Sequence, residues 1–346
     1  LKIMKRYKSI FLLPILFLLG LSLTAPKIEA AEQSFTDYQT GNFGYESVSQ
    51  LVSEGIIQGY KDNSFQPSRA VNRMETAIMF KRALPIEAVI SGSGFKDVPD
   101  TSEFAQATAA VKTAGIFKGS TNGTFGSNDL LTREQMASVI VRAFGFQPNS
   151  AVAVPLNDLD QVSAAHLHDV KVLYQNGITE GKKNGSFDPK GTVTRAEFSV
   201  FLDRALKNIP GLMGNLQAKV TNTALKTSGG IVNGHVASNN RGIQIIYNLT
   251  TQNKENTFTE GTITVSEAVT LKITQAPSYV KLVLNEGDFT QQLTQGVNKL
   301  SFADKLNGIK LGTISSLVDN FSLQGIISDS KGNSKPVTIH FIVKLY

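Results

Sequence analysis

The chain has 346 residues, 41% hydrophobic and 18% charged, with 29 Gly, 11 Pro and no Cys. That length implies two or three domains, the apolar share excludes a largely disordered chain, and zero cysteine excludes disulfides, thiolate metal sites and thiol nucleophiles. The net charge of +6 divides into +4 over residues 1–30, −2 over 31–210 and +4 over 211–346, which leaves no concentrated basic surface of the kind nucleic acid requires.

Lys5-Arg6-Tyr7-Lys8 precedes an apolar run from Ile10 to Leu23. Fourteen helical residues span roughly 21 Å, short of a hydrocarbon core of ~30 Å. The run reads as the core of a secretory signal over residues 1–30, with Ile28-Glu29-Ala30 before Ala31 as the cleavage site. The expectation is an exported protein that keeps no membrane segment after cleavage.

A repeat follows. Its landmarks are Phe35-Thr36-Asp37, Gly55-Ile56-Ile57-Gln58-Gly59, Asn63-Ser64-Phe65-Gln66-Pro67 and Asn72-Arg73-Met74-Glu75. They recur as Phe95-Lys96-Asp97, Gly115-Ile116-Phe117-Lys118-Gly119, Asn122-Gly123-Thr124-Phe125 and Thr132-Arg133-Glu134-Gln135. The third set is Leu156-Asn157-Asp158, Gly177-Ile178-Thr179-Glu180-Gly181, Asn184-Gly185-Ser186-Phe187-Asp188-Pro189 and Thr194-Arg195-Ala196-Glu197. The arginines stand 60 and 62 residues apart (133 − 73 and 195 − 133).

Each copy predicts helix, loop, helix. The first helices fall at about 45–54, 103–114 and 164–175 and end at a glycine able to take the left-handed conformation. The second begin at Asn72, Thr132 and Thr194. Positions +6, +7, +10 and +11 from each arginine are apolar, Met79-Phe80 and Ala83-Leu84 in the first copy, which marks the buried face of an amphipathic helix. One such hairpin cannot bury its face alone; three around a shared axis can. Phe65, Phe125 and Phe187 read as core plugs.

These landmarks resemble the S-layer homology module of bacterial envelope proteins over residues 35–206. The resemblance implies a pseudo-threefold helical prism that binds secondary cell-wall polymer, often through a pyruvate-ketal sugar. The family's Thr-Arg-Ala-Glu signature falls on Asn72 to Glu75, Thr132 to Gln135 and Thr194 to Glu197, and only the third copy keeps it without substitution.

Asn72/Glu75, Thr132/Gln135 and Thr194/Glu197 also fit capping boxes, which satisfy backbone donors at a helix start. Arginine at the first helical position is different, because a cation there opposes the helix dipole and asks for an anion. Two partners stand open for Arg73, Arg133 and Arg195. One is an internal salt bridge to Asp37, Asp97 or Asp158; the other is a ligand carboxylate held near free backbone N–H groups. Gly59, Gly119 and Gly181 fit either a close approach by sugar or a plain turn. The candidate polymer-binding residues are therefore Arg73, Arg133, Arg195, Gly59, Gly119, Gly181, Thr132 and Thr194. His166-x-His168 reads as solvated helix surface, since i and i+2 do not face one another. No catalytic motif, metal site or cofactor is implied.

After Pro210-Gly211 the texture changes to alternating runs at 242–247, 269–273, 280–284 and 337–343, which predict an antiparallel β-sandwich, and the closing hairpin at Ser328–Asn333 with its terminal strand resembles the last hairpin of bacterial immunoglobulin-like domains. The expected organisation is a signal over 1–30, modules at 31–92, 93–152 and 153–210, and a β-sandwich over 211–346 with a ligand of its own that the sequence leaves unknown. The function expected is that of a secreted, non-enzymatic protein of the bacterial cell surface, held on the wall or S-layer by secondary cell-wall polymer. The alternatives are an envelope enzyme such as a wall hydrolase and a structural S-layer lattice subunit.

Overall fold

The computed structural model describes residues 35–88, 92–251, 253, 255–276, 289–301, 303, 307, 308, 310 and 320–345. The expected signal segment and the strand expected at 280–284 lie outside the described residues.

Among the described residues six α-helices come first, in three hairpins: α1 (Tyr45–Ser53) with α2 (Arg73–Ala83), α3 (Ala105–Thr113) with α4 (Arg133–Phe144), and α5 (Ala164–Gln175) with α6 (Arg195–Lys207). Gly55, Gly115 and Gly177 close the first helices at φ 71°, 69° and 69°, where a side chain would strain the backbone. All three second helices open with complete capping boxes, on Asn72, Thr132 and Thr194.

What joins the hairpins is a closed ring of backbone hydrogen bonds. The Val71 N–H donates to Val193 O, Val193 to Leu131 O, and Leu131 to Val71 O, at 2.9, 3.0 and 3.2 Å. All three side chains are fully buried. Each module thus supplies a donor to one neighbour and an acceptor to the other, so the prism closes only when all three are present. Around this axis pack Phe80, Ile140 and Leu202, the +7 positions of the three stripes. Phe80 meets Phe198 edge-on at 5.8 Å. Phe65, Phe125 and Phe187 are buried as plugs.

Among the described residues the β region holds ten strands: β1 (Val220–Thr227), β2 (Gly230–Asn233), β3 (His235–Asn239), β4 (Gly242–Thr251), β5 (Phe258–Val265), β6 (Val269–Gln275), β7 (Phe289–Leu293), β8 (Gly296–Lys299), β9 (Asn320–Ser328) and β10 (Ser334–Leu345). They form two sheets, ordered β2-β1-β5-β8 and β3-β4-β10-β9-β6-β7, with an apolar core between them that includes Tyr247, Phe258 and Phe341. The expected hairpin joins β9 to β10. The expectation of a wholly antiparallel sandwich is corrected at one pair: β10 runs parallel to β4, from Val337 opposite Ile243 to Leu345 opposite Thr251. Alternation sets which face each residue takes but not strand direction, and β4 and β10 are too far apart in the chain for a turn to impose it.

The helical and β regions form one compact unit. Arg241 pairs with Glu54 and donates to Ala83 O, His235 meets the Glu87 carboxylate, and the Glu87 N–H donates to Gln244 Oε1 at 2.9 Å. The connector is fastened as well, since Met213 pairs with Ser334, whose hydroxyl donates to Gly211 O.

Candidate functional site

Each signature arginine reaches out of its own module into the next. Arg73 Nε donates to Phe125 O at 2.6 Å, Arg133 Nε to Phe187 O at 2.6 Å, and Arg195 Nε to Phe65 O at 2.8 Å. The guanidinium also lies over rings at each place: Phe117 and Phe125 for Arg73, Phe187 and Phe201 for Arg133, Tyr60 and Phe65 for Arg195, with centroids 4.8–5.4 Å away. Desolvation pulls the pKa of all three below the ordinary arginine value. The negative charge that the dipole argument asks for is met by carbonyl oxygens and aromatic faces, joined at Arg133 by the Glu197 carboxylate.

The three aspartates do a different job. Asp37 accepts the N–H groups of Phe65 and Gln66, Asp97 those of Phe125 and Gly126, and Asp158 those of Phe187 and Asp188, all at 2.6–2.8 Å. They staple each loop in place and do not form ion pairs with the arginines. For Asp97 desolvation pushes the pKa up, but the backbone donors outweigh it and hold the group below the ordinary carboxylate value.

The helix-start amides are not free either. Arg73 N donates to Asp129 O, Arg133 N to Gly191 O and Arg195 N to Arg69 O, while the second-position amides of Met74, Glu134 and Ala196 take Ser127 O, Pro189 O and Pro67 O. Third-position amides go to the caps, so the Thr132 and Thr194 hydroxyls serve Gln135 N and Glu197 N. The glycines sit at tight packing points. A Cβ on Gly59, Gly119 or Gly181 would fall 2.4–2.7 Å from Phe35, Phe95 or Leu156, and Gly119 and Gly181 also hold φ of 73° and 78°.

The three junctions are unequal. Between the third and first modules, Tyr60 covers Arg195, Arg69 Nε donates to the Tyr60 hydroxyl, and Arg69 pairs with Glu75. Arg195 spends a further N–H on Gln58 O at 3.1 Å. Between the second and third modules a cleft of about 400 Å³ is open, lined by Arg133, Gly181, Lys182, Lys183, Glu197 and Arg204, with Phe43, Val200 and Phe201 as apolar wall. Arg133 is 3% exposed and bonds Glu197 Oε1 at 2.8 Å. Phe43 is 66% exposed. Lys182 pairs with Asp188, and that hydrogen bond holds the Asp188 pKa low. Three of the four cations are ion-paired, Arg133 with Glu197, Lys182 with Asp188 and Arg204 with Glu180. That leaves Lys183 as the surplus positive charge at the cleft, and the cleft therefore suits an anion. Of the eight expected residues, Arg133 and Gly181 line this cleft. The sequence reading missed Lys182, Lys183, Arg204 and Phe43. Its one available signal was the Lys-Lys pair after Gly181, where the other copies have Tyr60-Lys61 and Ser120-Thr121.

Residues 34–77, 94–137 and 155–199 match the family described as the S-layer homology domain. Residues 34–199 are three S-layer homology domains. Over 191 residues the chain is 30% identical to the surface-layer 125 kDa protein of Lysinibacillus sphaericus, across 54% of this chain and 16% of that protein. It is 31% identical to the S-layer protein of Bacillus thuringiensis subsp. finitimus, across 52% and 22%. It is also 31% identical to an endoglucanase of Bacillus sp. (strain KSM-635), across 47% and 18%. The chain thus spans less than a quarter of the length of these relatives. The S-layer homology domains and these relatives place the chain at the bacterial cell surface. No helix among the described residues is long and apolar enough to cross a membrane.

Proposed function

We propose that the three S-layer homology domains hold this chain on the cell wall by binding an anionic wall polysaccharide, and that the cleft between the second and third modules is the principal site. The observation that carries this reading is the cluster of Arg133, Lys182, Lys183 and Arg204 around an open cleft with an exposed aromatic at its mouth. The resemblance supplies the finer identity, a secondary cell-wall polymer bearing pyruvate ketals. A ketal carboxylate suits a site of several cations, while the exposed Phe43 offers an apolar face to a sugar ring. The β-sandwich is then a displayed module without catalytic work of its own.

The test uses the full chain and purified walls. It should co-sediment with polymer-bearing walls and stay in solution with walls stripped of polymer. Lys183 is exposed and lines the cleft, so Lys183→Glu should weaken binding of a short polymer fragment by roughly 5- to 30-fold, from about 1–2 kcal/mol for reversing an exposed charge contact. Equal retention on both wall preparations, or unchanged affinity in Lys183→Glu, would count against the reading. Release of soluble sugars or peptides from walls by the full chain would refute the non-enzymatic part.

A further inference from the structure

The seam between helical body and sandwich holds a second cavity, of about 160 Å³, that wall binding does not use. Leu84, Ile116, Phe144, Ile209 and Ile326 give it an apolar wall; Gln244, Ser322, Gln324 and His340 add polar groups. Two arginines line it, Arg142 and Arg241, and among the described residues no aspartate or glutamate does. A cavity lined by two guanidinium groups and by no carboxylate offers a place for an anion.

Arg241 already has partners in Glu54 and Ala83 O. Arg142 has no ion-pair partner among the described residues, and the repeat shows what it would ordinarily do. Arg82, Arg142 and Arg204 each stand nine residues after a signature arginine. Arg82 Nη1 donates to Ile56 O at 3.4 Å and Arg204 Nη1 to Ile178 O at 3.3 Å, each within its own module. The matching acceptor for Arg142 would be Ile116 O. Instead Arg142 Nε donates to Ser138 O, one turn back on α4, and it has no ion pair among the described residues. Desolvation lowers its pKa, with Asp169 as the countering charge. His340 is neutral at physiological pH because burial pushes it down to about 4; its ring nitrogens meet Ser322 Oγ and Gln244 Nε2.

We propose that this cavity is a binding site for a small organic monocarboxylate, its carboxylate taken by Arg142 and its compact apolar body set against the Ile116–Phe144–Ile326 wall. The size fits, since an apolar cavity of about 150 Å³ accommodates a benzene-sized body. A planar guanidinium with free N–H groups matches a carboxylate as a two-pronged fork, and one such fork suits a single charge better than a dianion. The ligand would touch both regions of the chain and so stabilise their docking.

The experiment titrates full-length protein with benzoate, and with benzyl alcohol as its neutral counterpart, following affinity by calorimetry and the His340 ring by NMR. Benzoate should bind one to one and shift the His340 signals, and benzyl alcohol should bind at least about tenfold more weakly. Arg142→Gln should cut benzoate affinity by about tenfold or more. In case that variant loosens α4, Gln324→Glu keeps Arg142 and sets a carboxylate on the wall, and it should also repel benzoate. Lys183→Glu, in the other cleft, should leave benzoate binding intact, which separates this site from the wall-polymer reading. The proposal is overturned by no saturable benzoate binding at about 10 mM, by equal affinity for the two probes, or by wild-type affinity in both Arg142→Gln and Gln324→Glu.

Discussion

Arg195→Ala tests whether the signature arginine is first a structural clamp. The substitution removes two hydrogen bonds from a charged donor, to Phe65 O at 2.8 Å and Gln58 O at 3.1 Å. It also removes the contacts with the Tyr60 and Phe65 rings. Arg195 is only 8% exposed, so water will not fully replace what is lost. Each hydrogen bond to a charged group is worth about 1.5–3 kcal/mol, and each buried ring contact adds about 0.5–2 kcal/mol. Against this stands relief of the guanidinium's own desolvation, the effect that lowers its pKa. The net expectation is a loss of about 2–4 kcal/mol in urea unfolding, or roughly 4–16 °C in melting temperature. Arg195→Lys keeps the charge without the fork and should recover only part of the loss. The reasoning would be refuted by a melting temperature within about 1 °C of wild type together with lost polymer binding, because that pattern belongs to a pure ligand contact.

Two further outcomes are expected. The unfolded histidine protonates near its ordinary pKa of 6.5, whereas folded His340 resists until about pH 4, so the unfolded state binds the extra proton between those values and stability should fall as pH drops from about 6.5 to 4. The loss approaches about 3 kcal/mol and should be absent in His340→Gln; parallel pH profiles for the two proteins would contradict it. Thr194→Ala removes the hydroxyl that accepts Glu197 N and should cost about 1 kcal/mol in chemical denaturation without changing polymer affinity, and a binding defect with unchanged stability would assign Thr194 to the ligand instead.

The sequence by itself determined what local and periodic physics controls. The helix starts at Asn72, Thr132 and Thr194 follow from side chains three residues apart, and the helix ends at Gly55, Gly115 and Gly177 from one backbone conformation. The buried stripes and the Phe65, Phe125 and Phe187 plugs follow from spacing, and threefold recurrence of these signals made the helical prism legible. Alternation likewise revealed the sandwich. Tertiary structure alone decided every pairing between distant parts. The partner of Arg195 is Phe65 O, 130 residues away, and the ring of Val71, Leu131 and Val193 closes across all three copies. No short-range rule tells an arginine whether a carbonyl, an aspartate or a ligand will stand opposite it. The open cleft at Lys182 and Lys183, the covered junction at Tyr60 and the cavity beside Arg142 differ for the same reason. Near-identical repeats specify near-identical local geometry, but which junction stays open depends on one or two side chains brought in by a neighbouring module or by the sandwich. Such contacts are fixed by packing in three dimensions, where sequence separation carries no information.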